Sequence, residues 1–484
     1  MDLIHDLLAE TARRTPDAVA VRDATGAWTY AELADQAGRF AGWLSAQGAS
    51  PGDRVLVQLP TTRELVAMFF GTVARGAIFV PINPAMKPYH LTWVTANAKP
   101  ELVITDEERA PAFTALTSAP VRPLPEVTAE LDRVPAAAPV PVEPSDVAAL
   151  VYTSGSTARP KAVVCPHAQV VFATRAITTM LGYRADDVVL CRFPMSWDYG
   201  LYKVLMTCAV GAEVVLAGEE SDLSLLGRMR DTAATIVPIV PSLAKMIATL
   251  TKRDTGARPP IRMFTNTGAA LSPSIVEALR ERFPGARVVR QFGQTECKRI
   301  SIMPPDEELE RPGSVGRPLP GTTVTILGPG DEVLPPGEIG EIVVSGPHVM
   351  PGYWNADEIS ERTFGRTGRL LRTGDYGHLD EDGYLYFQGR RDDMFKRKGI
   401  RMSVLEIEAA AMDVPGVLAA AAVPPSDRHD LALFVEGEVT AKTVLRELRS
   451  RLEPAKVPSV CRVLAEFPLT LHGKSAREVF ANML

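Results

Sequence analysis

Apolar and polar positions follow two rhythms along the first two-thirds of the chain. Near the start, Ile4, Leu7, Leu8 and Ala12 recur at helical spacing and predict an amphipathic helix. Then DRVLVQLP reads as a strand, TRELVAMFFGTVARG as a helix, and AIFVPIN and PELVITD as strands. Further on, AEVVLAG, ATIVPIVP and RMFTNTG are short β-branched runs, with helical patterns such as SIVEALRERF beside them. Strands alternating with helices predict parallel sheets covered by helices. Residues 134–144, VPAAAPVPVEP, read as an extended surface connector leading into the apolar strand VAALVYT.

The rhythm changes near Gly313. TTVTILGPGDEVLPPGEIGEIVVSG is a series of short strands joined by Gly/Pro turns, which predicts a small β-rich subdomain. Beyond GRRDD come a helix over about 404–412, strands LAAAAVPP and LALFVEG, and a helix over about 441–452. That is a compact α+β unit of roughly ninety residues. The fold class expected is therefore α/β. A large N-terminal domain (1–391) holds two helix-covered, mostly parallel sheets and the β-rich subdomain (about 313–390). A small α+β C-terminal domain (392–484) follows.

Composition narrows the function classes. The 484 residues carry 52 Lys+Arg against 58 Asp+Glu, a formal net charge of -6, which offers nucleic acid no general attraction. Cys165, Cys191, Cys208, Cys297 and Cys461 are scattered, odd in number and form no C-x-x-C pair. Neither a disulfide framework nor a zinc site is expected, and a reducing compartment fits. The most apolar stretch, residues 64–80, contains Glu64 and Arg75 and is broken by Gly71 and Gly76, so no membrane span is expected. The N-terminus lacks the basic-then-apolar order of a signal peptide. A cytoplasmic enzyme is the default.

Residues 152–163, YTSGSTARPKAV, combine hydroxyls, a glycine and a lysine. Read as a P-loop, GSTARPKA fails twice: Pro160 stands where the second glycine belongs, and Ala162 where the magnesium-binding hydroxyl belongs. Thr153, Ser154, Ser156 and Thr157 still offer hydroxyl donors, Gly155 permits close approach, and Lys161 supplies a positive charge. Taken alone, the segment suits a phosphate-cradling loop or an ordinary turn.

The loop resembles the phosphate loop of the adenylate-forming superfamily, which comprises acyl-CoA synthetases, peptide-synthetase adenylation domains and luciferases. It departs from that pattern at Ala158 and Ala162, where glycines are usual, which bears on the mobility of the loop. The resemblance continues in order through WTYAEL, RGAIFVPIN, FGQTE, GEIGEIVVSGPHVMPGYWN, the segment from RTGDYGHLD to GIRMSVLEIE, and LHGKSAR, and so spans nearly the whole chain. It implies ATP-dependent activation of a carboxylic acid as an acyl-adenylate, release of pyrophosphate, and transfer of the acyl group to a thiol.

The same resemblance assigns roles. Lys474 is the cation that bridges carboxylate and phosphate, Glu296 the Mg²⁺ ligand, and Thr295 a donor to the α-phosphate. The phosphate loop and Phe292, Gly293, Gln294, Gly268, Ala269, Ala270, Asp375 and Arg390 hold the nucleotide. Asp392 is the hinge about which the C-terminal domain turns between half-reactions. Lys396, Arg397 and Lys398 either meet a phosphopantetheine phosphate or an acidic carrier, or form a solvated basic face.

FPMSWDYGLYK resembles the segment that lines the acid pocket. The pocket positions implied are Asp198, Tyr199, Tyr202, Thr265, Thr267, Gln291, Arg299 and Ile300. In one reading Asp198 holds the ammonium of an amino acid whose polar or acidic side chain approaches Arg299. In the other, Asp198 and Arg299 pair with each other and the substrate is a small non-amino acid. The expected acceptor is the phosphopantetheine of a separate carrier protein, since no carrier segment follows the lysine motif before Leu484. Free CoA and an amine are the alternatives. A non-catalytic nucleotide-binding protein of the same fold is the alternative of another class.

Overall fold

A computed structural model describes residues 2–153, 160–218, 221–252, 254–269, 271–304, 307, 309–365, 369–390, 394–397, 400–426, 429–468 and 477–484, the side chains of 394, 396, 400, 401, 477 and 478 excepted. Two large sheets form the first three hundred residues, as the alternating pattern predicts. One has six strands, parallel except for the antiparallel hairpin of Val147–Thr153 with Lys161–Pro166. The other has nine, with a parallel run at its centre formed by Val188–Cys191, Glu213–Leu216, Ile236–Ile239, Met263–Asn266 and Arg287–Phe292.

The helices between the sheets are apolar because both faces are covered. Every residue from Leu65 to Ala74 of the Arg63–Ala74 helix is buried. The Tyr30–Ala46 helix shows why the sequence reads WTYAEL: the Thr29 hydroxyl accepts from Glu32 N, and the Glu32 carboxylate accepts from Thr29 N at 2.8 Å, a reciprocal cap. Tyr30 then donates its hydroxyl to Ala212 O at 2.7 Å and ties this helix to the nine-stranded sheet. Truncating a fully buried ring such as Trp43 in the same helix costs about 3–5 kcal/mol.

The 134–144 connector is extended but pinned. Ala137 N donates to Gly38 O, and a Cβ at Gly42 would lie 2.7 Å from Pro135 O. Glycine at 42 is therefore a packing requirement.

The β-rich region is a four-stranded antiparallel sheet of Thr323–Leu327, Gly340–Ser345, Leu370–Leu379 and Leu385–Arg390. Beyond it lie the Met394–Arg397/Ile400–Ser403 hairpin and a three-stranded sheet with the helices Val404–Met412 and Ala441–Arg451. The buried clusters of residues 404–480 share no member with those built from residues 4–385. All five cysteines are free, four of them buried and Cys461 half-buried. Among the described residues no helix is long and apolar enough to cross a membrane.

Candidate active site

The parallel strands of the nine-stranded sheet all end on one side, and the pocket residues sit just past those ends, where open α/β sheets bind ligands. Asp198 opens the Asp198–Val210 helix after Val188–Cys191. Thr265 and Thr267 lie at the end of Met263–Asn266, and Gln291 and Phe292 close Arg287–Phe292.

The chain doubles back after Phe292. A Cβ on Gly293 would lie 2.7 Å from Arg299 Cα, so only glycine fits there. Arg299 N donates to Cys297 O at 2.7 Å across Lys298, whose φ is +67°. A three-residue reversal centred on a left-handed lysine is strained, by about 1–3 kcal/mol. Its effect is to turn two consecutive cations inward: Lys298 and Arg299 are both buried.

Lys298 Nζ lies 2.7 Å from Asp198 Oδ2 and 4.1 Å from the centre of the Tyr202 ring. Thr295 donates its hydroxyl to the same carboxylate oxygen at 3.2 Å. The lysine side chain is 1% exposed and that of Asp198 23%, so the carboxylate is the face the pair presents. Burial pushes the Asp198 carboxyl up, but Lys298, with help from Arg299 and the Thr295 hydroxyl, holds the group below the ordinary carboxylate range. Burial lowers Lys298 to about 8, against the pull of Asp198.

Arg299 donates to the Thr267 hydroxyl at 2.9 Å, and its guanidinium carbon lies 5.8 Å from the Tyr199 ring. The expected alternative of a direct Asp198–Arg299 pair is therefore overturned: the partner is Lys298, and Arg299 acts on Asp198 only at longer range. Tyr199 donates to Thr265 O at 2.5 Å. Ile300 is fully buried in the core, with its N bonded to Phe292 O.

Around this cluster, buried polar atoms lack partners among the described residues: Tyr202 Oη, both amide atoms of Gln291, Arg299 Nε, Gln294 Nε2 and Asn266 Oδ1. An unmade buried hydrogen bond costs about 1–3 kcal/mol, so this concentration marks a place completed by ordered water or a polar ligand.

The expected nucleotide residues form a second, more open group. Thr153 and Lys161 face each other across the base of the hairpin. Lys161 Nζ lies 5.4 Å from the Tyr353 ring, and Tyr353 donates its hydroxyl to Glu296 Oε1 at 2.7 Å. Met350 N fixes the Glu296 backbone at 2.9 Å. A half-buried carboxylate beside a hydroxyl suits a hard, oxygen-preferring cation. Phe292 packs on Phe387 with ring centres 4.9 Å apart. Asp375 and Arg390 pair in register on neighbouring strands, with Arg390 Nε 3.2 Å from Asp375 Oδ1. Gly268 adopts φ +87°, and Ala269 O accepts from Asn266.

Ser154, Gly155, Ser156, Thr157, Ala158, Ala270, Asp392, Lys398 and Lys474, and the side chain of Lys396, lie outside the described residues. Arg397 is no free basic contact. It forms a two-pronged pair with Asp430 and donates to the carbonyls of Ala455 and Val457, stapling the C-terminal unit.

Three side chains escaped the sequence reading: Lys298, Lys203 and Tyr353. Lys298 adjoins a flagged arginine, and simple strand alternation would aim it the opposite way. Lys203 is a lone charge in an otherwise apolar helical run, a visible signal. Tyr353 lies within a quoted motif but was given no role.

The strand ends that carry Asp198, Thr265 and Arg299, and the hairpin that carries Thr153 and Lys161, fit a nucleotide-dependent acid-activating enzyme. The AMP-binding enzyme family matches residues 8–354, and the chain belongs to it. It is 31% identical to a feruloyl-CoA synthase of Amycolatopsis sp over 96% of this chain and 95% of that one. It is 33% identical to the probable non-canonical nonribosomal peptide synthetase CymA of Salinispora arenicola over 98% of this chain, which spans 6% of that protein. Among solved structures, VinN in complex with L-aspartate is 52% identical with a TM-score of 0.76, covering 80% of this chain and 100% of that one. ATP-bound MatB from Rhodopseudomonas palustris is 26% identical with a TM-score of 0.90, covering 99% and 98%. The chain is thus an AMP-forming enzyme that activates a carboxylic acid for transfer to a thiol, the reaction class expected from its motifs.

Proposed function

We propose that the acid is an amino dicarboxylic acid of the aspartate type. The observation that carries this reading is the pocket's charge: buried Lys298 and Arg299 face a single carboxylate, Asp198, with orphaned polar atoms around them. A substrate ammonium takes Asp198, and the second carboxylate takes Lys298 and Arg299, so each of these three charges has a partner of opposite sign. VinN, similar over about four-fifths of this chain, has been solved with L-aspartate and with 3-methylaspartate.

In the first half-reaction a carboxylate oxygen of the substrate bonds to the α-phosphorus of ATP, the bond to the bridging oxygen breaks, and pyrophosphate leaves. The difficulty is that an anion must approach a polyanion, so cations and fixed donors have to meet the developing charge. We assign Lys474 to neutralise both reactants, Thr295 to donate to the α-phosphate, and Glu296 to hold Mg²⁺, which would offset phosphate charge. Thr153, Ser154, Gly155, Ser156, Thr157 and Lys161 hold the phosphates; Asp375 and Arg390 hold the ribose. Thr295 reaches Asp198 as well, which supports a shared boundary between acid and nucleotide. Residues 392–484 act as a lid turning about Asp392, bringing Lys474 in and then withdrawing it.

In the second half-reaction a thiol attacks the acyl carbon, loses its proton, and AMP leaves. The acceptor proposed is the phosphopantetheine of a separate carrier protein, supported by the peptide synthetases among the relatives. Free CoA is the second reading, favoured by the nearly full-length match to a feruloyl-CoA synthase.

A pyrophosphate-release screen over amino and non-amino acids, with and without a second carboxylate, tests the assignment. Aspartate-type acids are expected to turn over fastest; preference for an aromatic or long-chain monoacid would refute it.

A further inference from the structure

The Asp198–Val210 helix carries one charge that the scheme above leaves idle. Lys203 is 1% exposed and stands one turn beyond Tyr199. Among the described residues no carboxylate forms an ion pair with it; its polar contact is the Tyr183 hydroxyl at 3.5 Å. Its Nζ lies 4.7 Å from the centre of the Tyr199 ring, and the Arg299 guanidinium lies 5.8 Å from the centre of that same ring. Tyr199 is held there by its bond to Thr265 O. A buried ammonium is thus stacked on an aromatic ring that also carries the cation proposed to receive the substrate's second carboxylate.

We infer that Lys203 is a positioning residue for the acid: its charge is offset only when an anionic group enters beside Arg299, so acid binding and protonation of Lys203 are linked. This inference rests on the dicarboxylate reading.

The charged and titratable groups around Lys203 fit the role. From its own helix they are Asp198, already engaged by Lys298, and the phenols of Tyr199 and Tyr202. Cys191 faces it from the Val188–Cys191 strand, Tyr183 from the turn after the His167–Leu181 helix, and Lys298 and Arg299 from the doubled-back loop. On the other elements packed against this helix, His5 and His167 are buried against one another, and Glu213 is paired with Arg22 at 2.5 Å. None of these forms an ion pair with Lys203 in the absence of substrate, and Asp198 acts on it only at longer range.

Burial lowers Lys203 to about 7, and repulsion from Arg299 adds to the shift. An arriving carboxylate raises it again. The sign follows: below pH 7 the lysine already carries its charge and the acid binds tightly, whereas above 7 a proton must be taken up on binding and affinity falls.

The test is acid-dependent pyrophosphate exchange with aspartate from pH 6 to 7.5. In the wild type the KM for the acid is expected to rise about threefold across this window, with kcat and the KM for ATP following no such trend. Lys203→Met is expected to show a raised, pH-flat KM, and Lys203→Arg, charged throughout, a lower pH-flat KM. Equal KM slopes in the three proteins overturn the inference. Should the variants fail to fold, calorimetry of aspartate binding to the wild type at pH 6.5, where a group near 7 is the one left to protonate, in two buffers of different ionisation enthalpy decides: proton uptake supports it, and no uptake overturns it. An enzyme that activates aspartate with a pH-flat KM loses this inference alone. One that rejects aspartate loses the substrate reading, and this inference with it.

Discussion

On one side of Thr295, Asp198 and Lys298 lie 2.7 Å apart with the lysine sealed from solvent; on the other, Asp375 and Arg390 lie 3.2 Å apart with the arginine about half exposed. The two pairs are alike in distance but differ in energy. A buried pair stays only if its geometry is good and both partners remain; removing one costs about 3–5 kcal/mol. In the second pair the carboxylate is buried, but the Arg390 end stands in water, which screens it and lowers what the pair is worth. The acid pocket can therefore discriminate by charge, while the ribose edge holds a nucleotide that need only be kept in place. Strain follows the same division, since the left-handed turn at Lys298 lies on the acid side.

The largest effect should come from Lys474→Ala, which in the proposed mechanism serves both sides. Acyl-adenylate formation is expected to fall in kcat by about 10²–10³ or more, with equilibrium binding of ATP and of the acid retained. Next, Asp198→Ala should lower kcat/KM for an amino dicarboxylic acid by about 10²–10³ while the KM for ATP stays within about twofold. If both constants moved together, the two sides would not be separate. Lys298→Met should cost about 10–100-fold on aspartate and far less on asparagine, read as a ratio of kcat/KM values. Arg390→Ala is the smallest: a rise of about three- to tenfold in the KM for ATP, with the acid's KM unmoved, in steady-state pyrophosphate exchange.

Much of this was legible in the chain. The strand and helix runs announce the layered sheets, because buried parallel strands must be continuously apolar. Lys161 and Thr153 flank a recognisable loop, and Asp198 lies in a recognisable segment. The partner of Asp198 was not legible. Alternation along a strand aims consecutive side chains at opposite faces, and only the reversal over 297–299 aims Lys298 and Arg299 the same way. That reversal depends on Gly293 meeting the backbone of 298–300, a tertiary contact that no local pattern encodes. Arg397 misled for the opposite reason: in KRKGIR it reads as part of a solvated run, yet carbonyls and Asp430 from distant segments close around it.

The most direct test of the charge-selective pocket is the ratio of kcat/KM for aspartate over asparagine, two acids of nearly equal shape that differ in one charge. A pocket lined by buried Lys298 and Arg299 predicts a preference for aspartate of about 10²-fold or more, since the uncharged amide leaves Arg299 without an anion and Lys298 with Asp198 alone. Equal turnover of the two, or a preference for asparagine, would contradict it.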